Sequence, residues 1–225
     1  MSFEPNAVAI ARTEMQRISP ELSEKYASVI SFLSLNPDAA AALRGSSAPK
    51  PGSIEYIKRQ AAGFSDSRAP KAPKPPETIP DEMVSVILNG YFDIPAEHLN
   101  RVKREHQLSM GAENMVGELL ERYLASVLEE HGWIWCSGAM VKAVDFVQPP
   151  KNGGSWRMLQ VKNRDNSENS SSSAIRIGTS IEKWHRTFSK RPGSNWPAFP
   201  DVSMRPLLSE EAFAAYVRHY LKSLK

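Results

Sequence analysis

Apolar residues recur at intervals of three and four along the first third of the chain, which is the period of an α-helix. After Ser19-Pro20, the residues at this spacing are Leu22, Tyr26, Val29, Ile30 and Leu33. Asn36-Pro37 is typical of a further helix start, and Gly45 supplies the matching stop. The pattern therefore predicts an N-terminal helical region over residues 1–45.

Residues 46–80 break this pattern. Prolines alternate there with basic residues, at Pro49, Pro51, Pro70, Pro73, Pro75, Pro76 and Pro80. Such a composition favours an extended and poorly packed chain, most of all from Arg68 to Pro80. We expect residues 46–80 to form a Pro/Lys-rich linker or a DNA-tracking arm.

The helical period returns in the main domain, which we place at residues 81–225. Helices are predicted over residues 81–88, 96–108, 110–131 and 210–224. Gly132 is expected to end the third of them.

Between these helices the period shortens to two residues, as in a β-strand. The strands are predicted over residues 133–136, 141–147 and 156–162. Trp133 and Trp135 share a face of the first strand, and we expect them to pack in the core. A helix followed by a three-stranded meander predicts an α/β (α+β) fold.

Composition narrows the class of protein. A chain of 225 residues can bury a full core, and it contains no apolar run long enough to cross a membrane. The single cysteine, Cys136, excludes an intrachain disulfide and a cysteine-based zinc site, so a cytoplasmic location is expected. The net charge of +3 is compatible with nucleic-acid binding.

Asp145 is the first candidate for chemistry, because it lies between the apolar residues Val144 and Phe146. A carboxylate in an apolar strand is costly to bury unless a partner such as a metal ion compensates it. Hydrolysis of a phosphodiester uses such an ion, and Mg²⁺ prefers oxygen ligands. Asp145 is therefore a candidate ligand of Mg²⁺.

The next predicted strand contributes Gln160 and Lys162, which project from the same side. If the two strands form a hairpin, both side chains point towards Asp145. Lys162 could then orient the attacking water, and the carbonyl of Val161 could be a further metal ligand. Glu118 and Glu121, three residues apart on the preceding helix, could reach the same place.

Glu121, Asp145 and Gln160-Val161-Lys162, in this order, resemble the core of the PD-(D/E)XK nuclease superfamily. Gln160 stands where the superfamily usually has an acid, and Lys142-Ala143-Val144 lacks its proline. The resemblance implies a restriction-endonuclease-like core, with a mixed central sheet flanked by helices and an N-terminal helical extension.

The polar segment over residues 163–186 is similar to the region after the catalytic lysine in type II restriction endonucleases of the SinI-like group. The resemblance implies double-stranded DNA as substrate, cut at a short palindrome (GGWCC in that group) by a homodimer that is paired with a cognate DNA methyltransferase. Asn and Arg can read base edges, and Ser can bind phosphates. The predicted DNA-binding residues are Asn163, Arg164, Asn166, Ser167, Glu168, Asn169, Ser170, Ser172, Arg176 and Lys183.

Two other functions are compatible with parts of this pattern. A non-catalytic, sequence-specific DNA-binding protein could have the helical region, the basic linker and the polar loop, but it has no reason to place Asp145 with Lys162. A structure-specific repair nuclease of the same fold could have that pair. Such an enzyme mainly needs phosphate contacts, so the polar loop argues against it.

Overall fold

The computed structural model describes residues 2–151, 153–165 and 179–225. The helices over these residues are α1 (Ala7–Ile18), α2 (Ser23–Leu35), α3 (Ile54–Asp66), α4 (Glu82–Gly90), α5 (Leu99–Leu128) and α6 (Glu210–Ser223). The strands are β1 (Ile134–Trp135), β2 (Phe146–Gln148), β3 (Arg157–Arg164) and β4 (Ile181–Thr187). None of the described helices is both long and apolar enough to cross a membrane.

The four strands form one mixed sheet in the order β1-β2-β3-β4, so the α/β fold class is confirmed. β1, β2 and β3 pair antiparallel, as expected for a meander, and β4 adds to β3 in parallel. Trp184 is the buried centre of β4, which lies at the end of the polar segment over residues 163–186. Ile181, Trp184 and Thr187 are β-branched or aromatic residues of the kind that favours a strand.

The sheet lies between two apolar clusters, because successive strand residues point to opposite faces. Ile134 and Val147 face a cluster formed with α1, α2 and α3. Trp135, Phe146 and Leu159 face a second cluster, formed with α5 and α6. The expected core positions of Trp133 and Trp135 are thereby confirmed.

α3 corrects the description of residues 46–80 as a linker. The helix begins after Ser53, whose side chain accepts a hydrogen bond from the N–H of Tyr56, and its apolar face is buried. The spacing of Tyr56, Ile57, Ala61 and Phe64 is helical, and these side chains outweigh the surrounding prolines because they fill the first cluster. The division of the chain into domains stays a prediction.

Three smaller expectations also change. The helix predicted from Asn36 to Gly45 is only a single turn, Pro37–Ala39. The strand predicted over residues 141–147 is limited to β2, because Ala143 adopts a left-handed backbone with φ 57°. Cys136 is buried and free.

α5 is one continuous helix where the sequence predicted two. The helix continues through the predicted break at position 109, and Gly111 lies inside it, where the glycine allows a close approach. A Cβ at Gly111 would lie 2.9 Å from the Cα of Pro75, so the proline-rich segment packs directly on the helix. The chain turns only at Gly132, which has φ 86°.

Candidate active site

A cavity of about 610 Å³ opens at the junction of α5, β2 and β3. Its lining includes all the side chains that the sequence grouped for catalysis, namely Glu118, Glu121, Asp145, Gln160 and Lys162. The β2–β3 pairing accounts for this, because Phe146 lies opposite Leu159 and the same register places Asp145 opposite Gln160. The roles of these residues stay a prediction.

Asp145 is held rigidly by backbone hydrogen bonds. Its N–H donates to the carbonyl of Leu159 at 2.9 Å, and its own carbonyl accepts from the N–H of Cys136 at 2.8 Å. Its carboxylate Oδ2 accepts from the N–H of Val161 at 2.7 Å. The carboxylate therefore has a fixed position at the rim of the sheet, although the residue precedes β2 instead of lying inside a strand.

Glu121 faces this carboxylate from α5, and its Oε2 accepts a hydrogen bond from Trp135 Nε1 at 3.0 Å. Burial raises the pKa of Glu121 to about 7, and the nearby charge of Asp145 adds to this effect. Burial also raises the pKa of Asp145 to about 6. The hydrogen bond from the N–H of Val161 and the positive charge of Lys162 act in the opposite direction and lower this pKa, but burial outweighs them. Two carboxylates in one cavity thus resist simultaneous ionisation, which a bound cation would relieve.

Gln160 contributes an oxygen that has no partner among the described residues. The residue is 2% exposed, and its Oε1 accepts no hydrogen bond from the described residues. A buried carbonyl oxygen left unsatisfied costs about 1–3 kcal/mol, and a hard cation or its water would satisfy it. Asp145, Glu121 and Gln160 therefore fit Mg²⁺ as a set of oxygen donors.

These three oxygen donors include only two acids, because the third donor, Gln160, is an amide. Within residues 2–151, 153–165 and 179–225, no group of three His, Cys, Asp or Glu side chains is placed to hold a metal ion. This agrees with an amide at position 160 replacing an acid. Val161 directs its N–H towards Asp145, and its carbonyl stays a predicted ligand.

Glu118 has a different task from Glu121. Its Oε1 accepts two hydrogen bonds from Arg122, at 3.1 and 2.7 Å, and lies 3.5 Å from Lys71 Nζ. Arg122 is buried and also donates to the carbonyls of Ser67, Arg68 and Ala69. Glu118 is thus the partner of a structural arginine, whereas Glu121 is hydrogen-bonded to Trp135, and which of the two acids binds a metal stays a prediction.

Arg122 was missed in the sequence, although its spacing of four residues from Glu118 is that of a helical ion pair. The arginine fastens the chain after α3 to α5. Ser67 and Lys71 are thereby brought to the cavity wall, in the region expected to be a linker or arm. No pattern in the sequence indicated this contact, because it joins residues more than fifty positions apart.

The predicted DNA-binding residues are only partly described. The side chain of Asn163 accepts a hydrogen bond from Arg186 Nε at 3.0 Å, whereas Arg164 is exposed at the end of β3. Lys183 lies opposite Gln160 in the β3–β4 register. The other seven residues lie outside the described part of the chain: Asn166, Ser167, Glu168, Asn169, Ser170, Ser172 and Arg176.

Comparison with known proteins gives a match over nearly the whole chain. The family model described as SinI restriction endonuclease matches residues 7–223. The type II restriction enzyme SinI of Salmonella infantis is 53% identical over 224 residues, covering 99% of this chain and 97% of that enzyme. The type II restriction enzyme Eco47I of Escherichia coli is 52% identical over 221 residues, covering 98% and 96%.

Proposed function

The chain belongs to the SinI restriction endonuclease family, and on that premise we propose that it cuts double-stranded DNA with Mg²⁺ at a short palindrome. It is a type II restriction endonuclease, that is, a site-specific deoxyribonuclease. The further proposals concern the identity of the metal ion, the recognition site and the residues that bind the metal and the attacking water. The recognition site implied by the resemblance is GGWCC.

The observation that carries this mechanism is the meeting of Asp145, Glu121 and Lys162 in one cavity with the unsatisfied Oε1 of Gln160. Asp145, Glu121 and Gln160 would hold Mg²⁺ through their oxygens, with the Val161 carbonyl as a further donor. A bound Mg²⁺ supplies charge neutralisation at the phosphate and a more acidic water. Lys162 orients the attacking water and offsets the negative charge that develops on the phosphate.

Asp145→Ala tests the metal site. We expect loss of cleavage by at least about 100-fold, because the variant lacks the carboxylate that the backbone fixes in the cavity. Binding to the same DNA in Ca²⁺, measured by gel shift, should be largely kept. Glu113→Ala is the matched control, since Glu113 is an exposed acid on α5 outside the cavity and its loss should change neither measurement. Cleavage by the Asp145 variant at the wild-type rate in Mg²⁺ would falsify the assignment.

The predicted reading loop is tested by Asn166→Ala, Asn169→Ala and Arg176→Ala. We expect each to weaken binding to the specific site much more than binding to unrelated DNA, by roughly 10- to 100-fold for a lost bidentate base contact. The two affinities are measured at one salt concentration, because phosphate contacts depend on salt. Equal losses on both DNAs would mean that the loop contacts only the backbone.

The proposal includes two partners and a location. A homodimer suits a palindromic site, because twofold symmetry in the protein matches twofold symmetry in the DNA. A cognate DNA methyltransferase would protect the sites of the host, and a cytoplasmic location suits the free thiol of Cys136.

Digestion of plasmid DNA with Mg²⁺, followed by sequencing of the ends, tests GGWCC directly. Cutting at another sequence would exclude that site without affecting the assignment of the residues.

A further inference from the structure

α4 and the first half of α5 form a hairpin, residues 79–110, that leaves its apolar residues uncovered. No residue from 71 to 110 is buried. The large hydrophobic residues exposed on the hairpin are Ile79, Met83, Val84, Val86, Ile87, Tyr91, Phe92, Leu108 and Met110. An internal hydrogen bond joins its helices, from Lys103 Nζ to Ser85 Oγ at 2.9 Å, and Gln107 Nε2 donates to the carbonyl of Thr78, directly before the hairpin, at 3.0 Å.

The apolar surface is larger than a monomer normally exposes. The nine side chains present roughly 1,000 Å², judged from the area of large apolar side chains. The largest apolar patch of a typical monomer is about 300–600 Å². Each partner in a stable protein interface contributes about 800 Å². The hairpin therefore has the area that a stable dimer needs.

The hairpin carries a groove and a matching projection. The groove, about 470 Å³ in volume, lies between the proline-rich segment and the two helices, and its apolar wall includes Pro76, Val84, Leu88 and Met110. The projection is the aromatic pair of Tyr91 and Phe92 at the tip, which are 78% and 60% exposed. Their rings meet edge to face with centroids 5.0 Å apart, so they form a compact unit.

The charges of the hairpin do not favour DNA as the occupant of this surface. Its acids are Asp81, Glu82, Asp93, Glu97 and Glu105, and its bases are Arg101, Lys103 and Arg104. A surface with more acids than bases repels phosphates, whereas an apolar surface rimmed by mixed charges is typical of a protein interface.

We propose that the hairpin is the surface through which two copies of this chain associate. The two hairpins run antiparallel, and the Tyr91–Phe92 pair of each copy enters the groove of the other. The geometry allows this exchange because α4 extends about 9 Å from the groove residue Val84 to Gly90, and Phe92 lies in the turn directly beyond it. A twofold axis beside Ile87, midway between projection and groove, brings both pairs together at once.

This inference rests on the proposed homodimer, and its test needs neither cleavage nor DNA. Sedimentation velocity over a range of protein concentrations gives the dimer dissociation constant. We expect Phe92→Asp to raise that constant by about 100-fold or more, since two central aromatic contacts are lost per dimer. Leu35→Asp is the control, because Leu35 is equally exposed but lies on α2 outside the hairpin. The far-UV circular dichroism spectrum of both variants should stay unchanged, because neither side chain is buried within a single chain.

A cysteine at the axis tests the arrangement itself. The only native cysteine, Cys136, is buried, so a thiol introduced by Ile87→Cys can be oxidised selectively. We expect a disulfide-linked dimer that still sediments as the wild-type dimer, since the two thiols meet across the axis. Leu35→Cys should remain unlinked.

Three results would overturn the proposal: a wild-type chain that is monomeric at all concentrations, a Phe92→Asp variant that dimerises like the wild type, or no linkage through Ile87→Cys. A dimer that depends on Phe92 but cuts no DNA would instead count against the proposed function alone.

Discussion

The two facing carboxylates of Glu121 and Asp145 give the protein an unusual dependence on pH. Both pKa values are raised by burial, so the folded chain holds protons that the unfolded chain releases. Without a metal ion, stability from these groups is fully present below about pH 4, near the pKa of a carboxyl group in an unfolded chain. It is lost as the pH rises towards about 7, the raised pKa of Glu121.

Glu121→Gln should therefore make the metal-free protein more stable at pH 8. The gain should be on the order of 2 kcal/mol, because the amide carries no charge to bury and can still accept the hydrogen bond of Trp135. Denaturant unfolding in EDTA measures it. Mg²⁺ should raise the melting temperature of the wild type at pH 8 and have little effect on the variant. A variant that is less stable than the wild type at pH 8 would show that Glu121 is ionised without cost.

At the scale of single residues, the sequence predicted which side chains line the site better than it predicted the partner that each side chain has there. Asp145, Gln160 and Lys162 could be grouped because strand alternation is a strict rule. Glu118 and Glu121 could not be distinguished, because their different partners, Arg122 and Trp135, come from packing that no local pattern shows.

The loop that leads to Asp145 contains local backbone strain. Ala139 and Ala143 both line the cavity and both have positive φ, 53° and 57°. A residue with a Cβ pays about 1–2 kcal/mol for this conformation, and glycine does not. The strained turn delays the start of β2 to Phe146, and Asp145 follows this turn at the cavity wall.

Ala143→Gly should stabilise the fold by up to about 1 kcal/mol, because relief of the strained φ exceeds the added freedom of the unfolded chain. The matched control is Ala112→Gly, at an exposed position within α5, which should cost about 1 kcal/mol. Urea denaturation of both variants measures the two differences. A loss of stability in both would contradict the strained geometry of the loop.

Among the elements, those with strong periodicity were predictable and those set by tertiary contacts were not. α6 followed from its apolar spacing, and the change of direction at Gly132, one 3-10 turn after α5, followed from a glycine stop. α3 was not predicted because prolines surround it in the sequence, and β4 was not predicted because a polar segment precedes it. The break predicted at position 109 was wrong, because α5 continues through it, and the close contact of Gly111 with Pro75 depends on the fold and not on any local pattern.

At the scale of the whole molecule, one acid connects the N-terminal helices to the sheet. Glu129 accepts hydrogen bonds from Arg68 at 3.1 and 2.7 Å, from Lys25 at 2.6 Å and from the N–H of Trp135 at 3.1 Å. Burial alone would raise the pKa of Glu129, but Arg68 and Lys25 outweigh burial and lower it. The ion pair therefore contributes stability above about pH 4.5, which is lost on further acidification.

Arg68→Ala should destabilise the protein by about 3 kcal/mol at pH 7, because it leaves a largely buried carboxylate short of its main partner. Arg12→Ala removes an ion pair with Glu24 that is exposed to solvent, and it should have little effect. Thermal unfolding of both variants provides the comparison. The difference between them should shrink at pH 3, where Glu129 becomes protonated. Equal behaviour of the two variants at pH 7 would mean that Glu129 does not depend on Arg68.

The continuity of α5 restricts how the chain can vary in evolution. One helix carries the hairpin, the contact with Pro75 at Gly111, the Arg122 pairings and Glu121. A single residue inserted between Gly111 and Glu121 would rotate everything beyond it by about 100° and remove Glu121 from the cavity. Loops lack this constraint, because they absorb extra residues locally. We therefore expect relatives of this protein to differ freely in the exposed side chains of α5 beyond Gly111 and to preserve the number of residues in the helix.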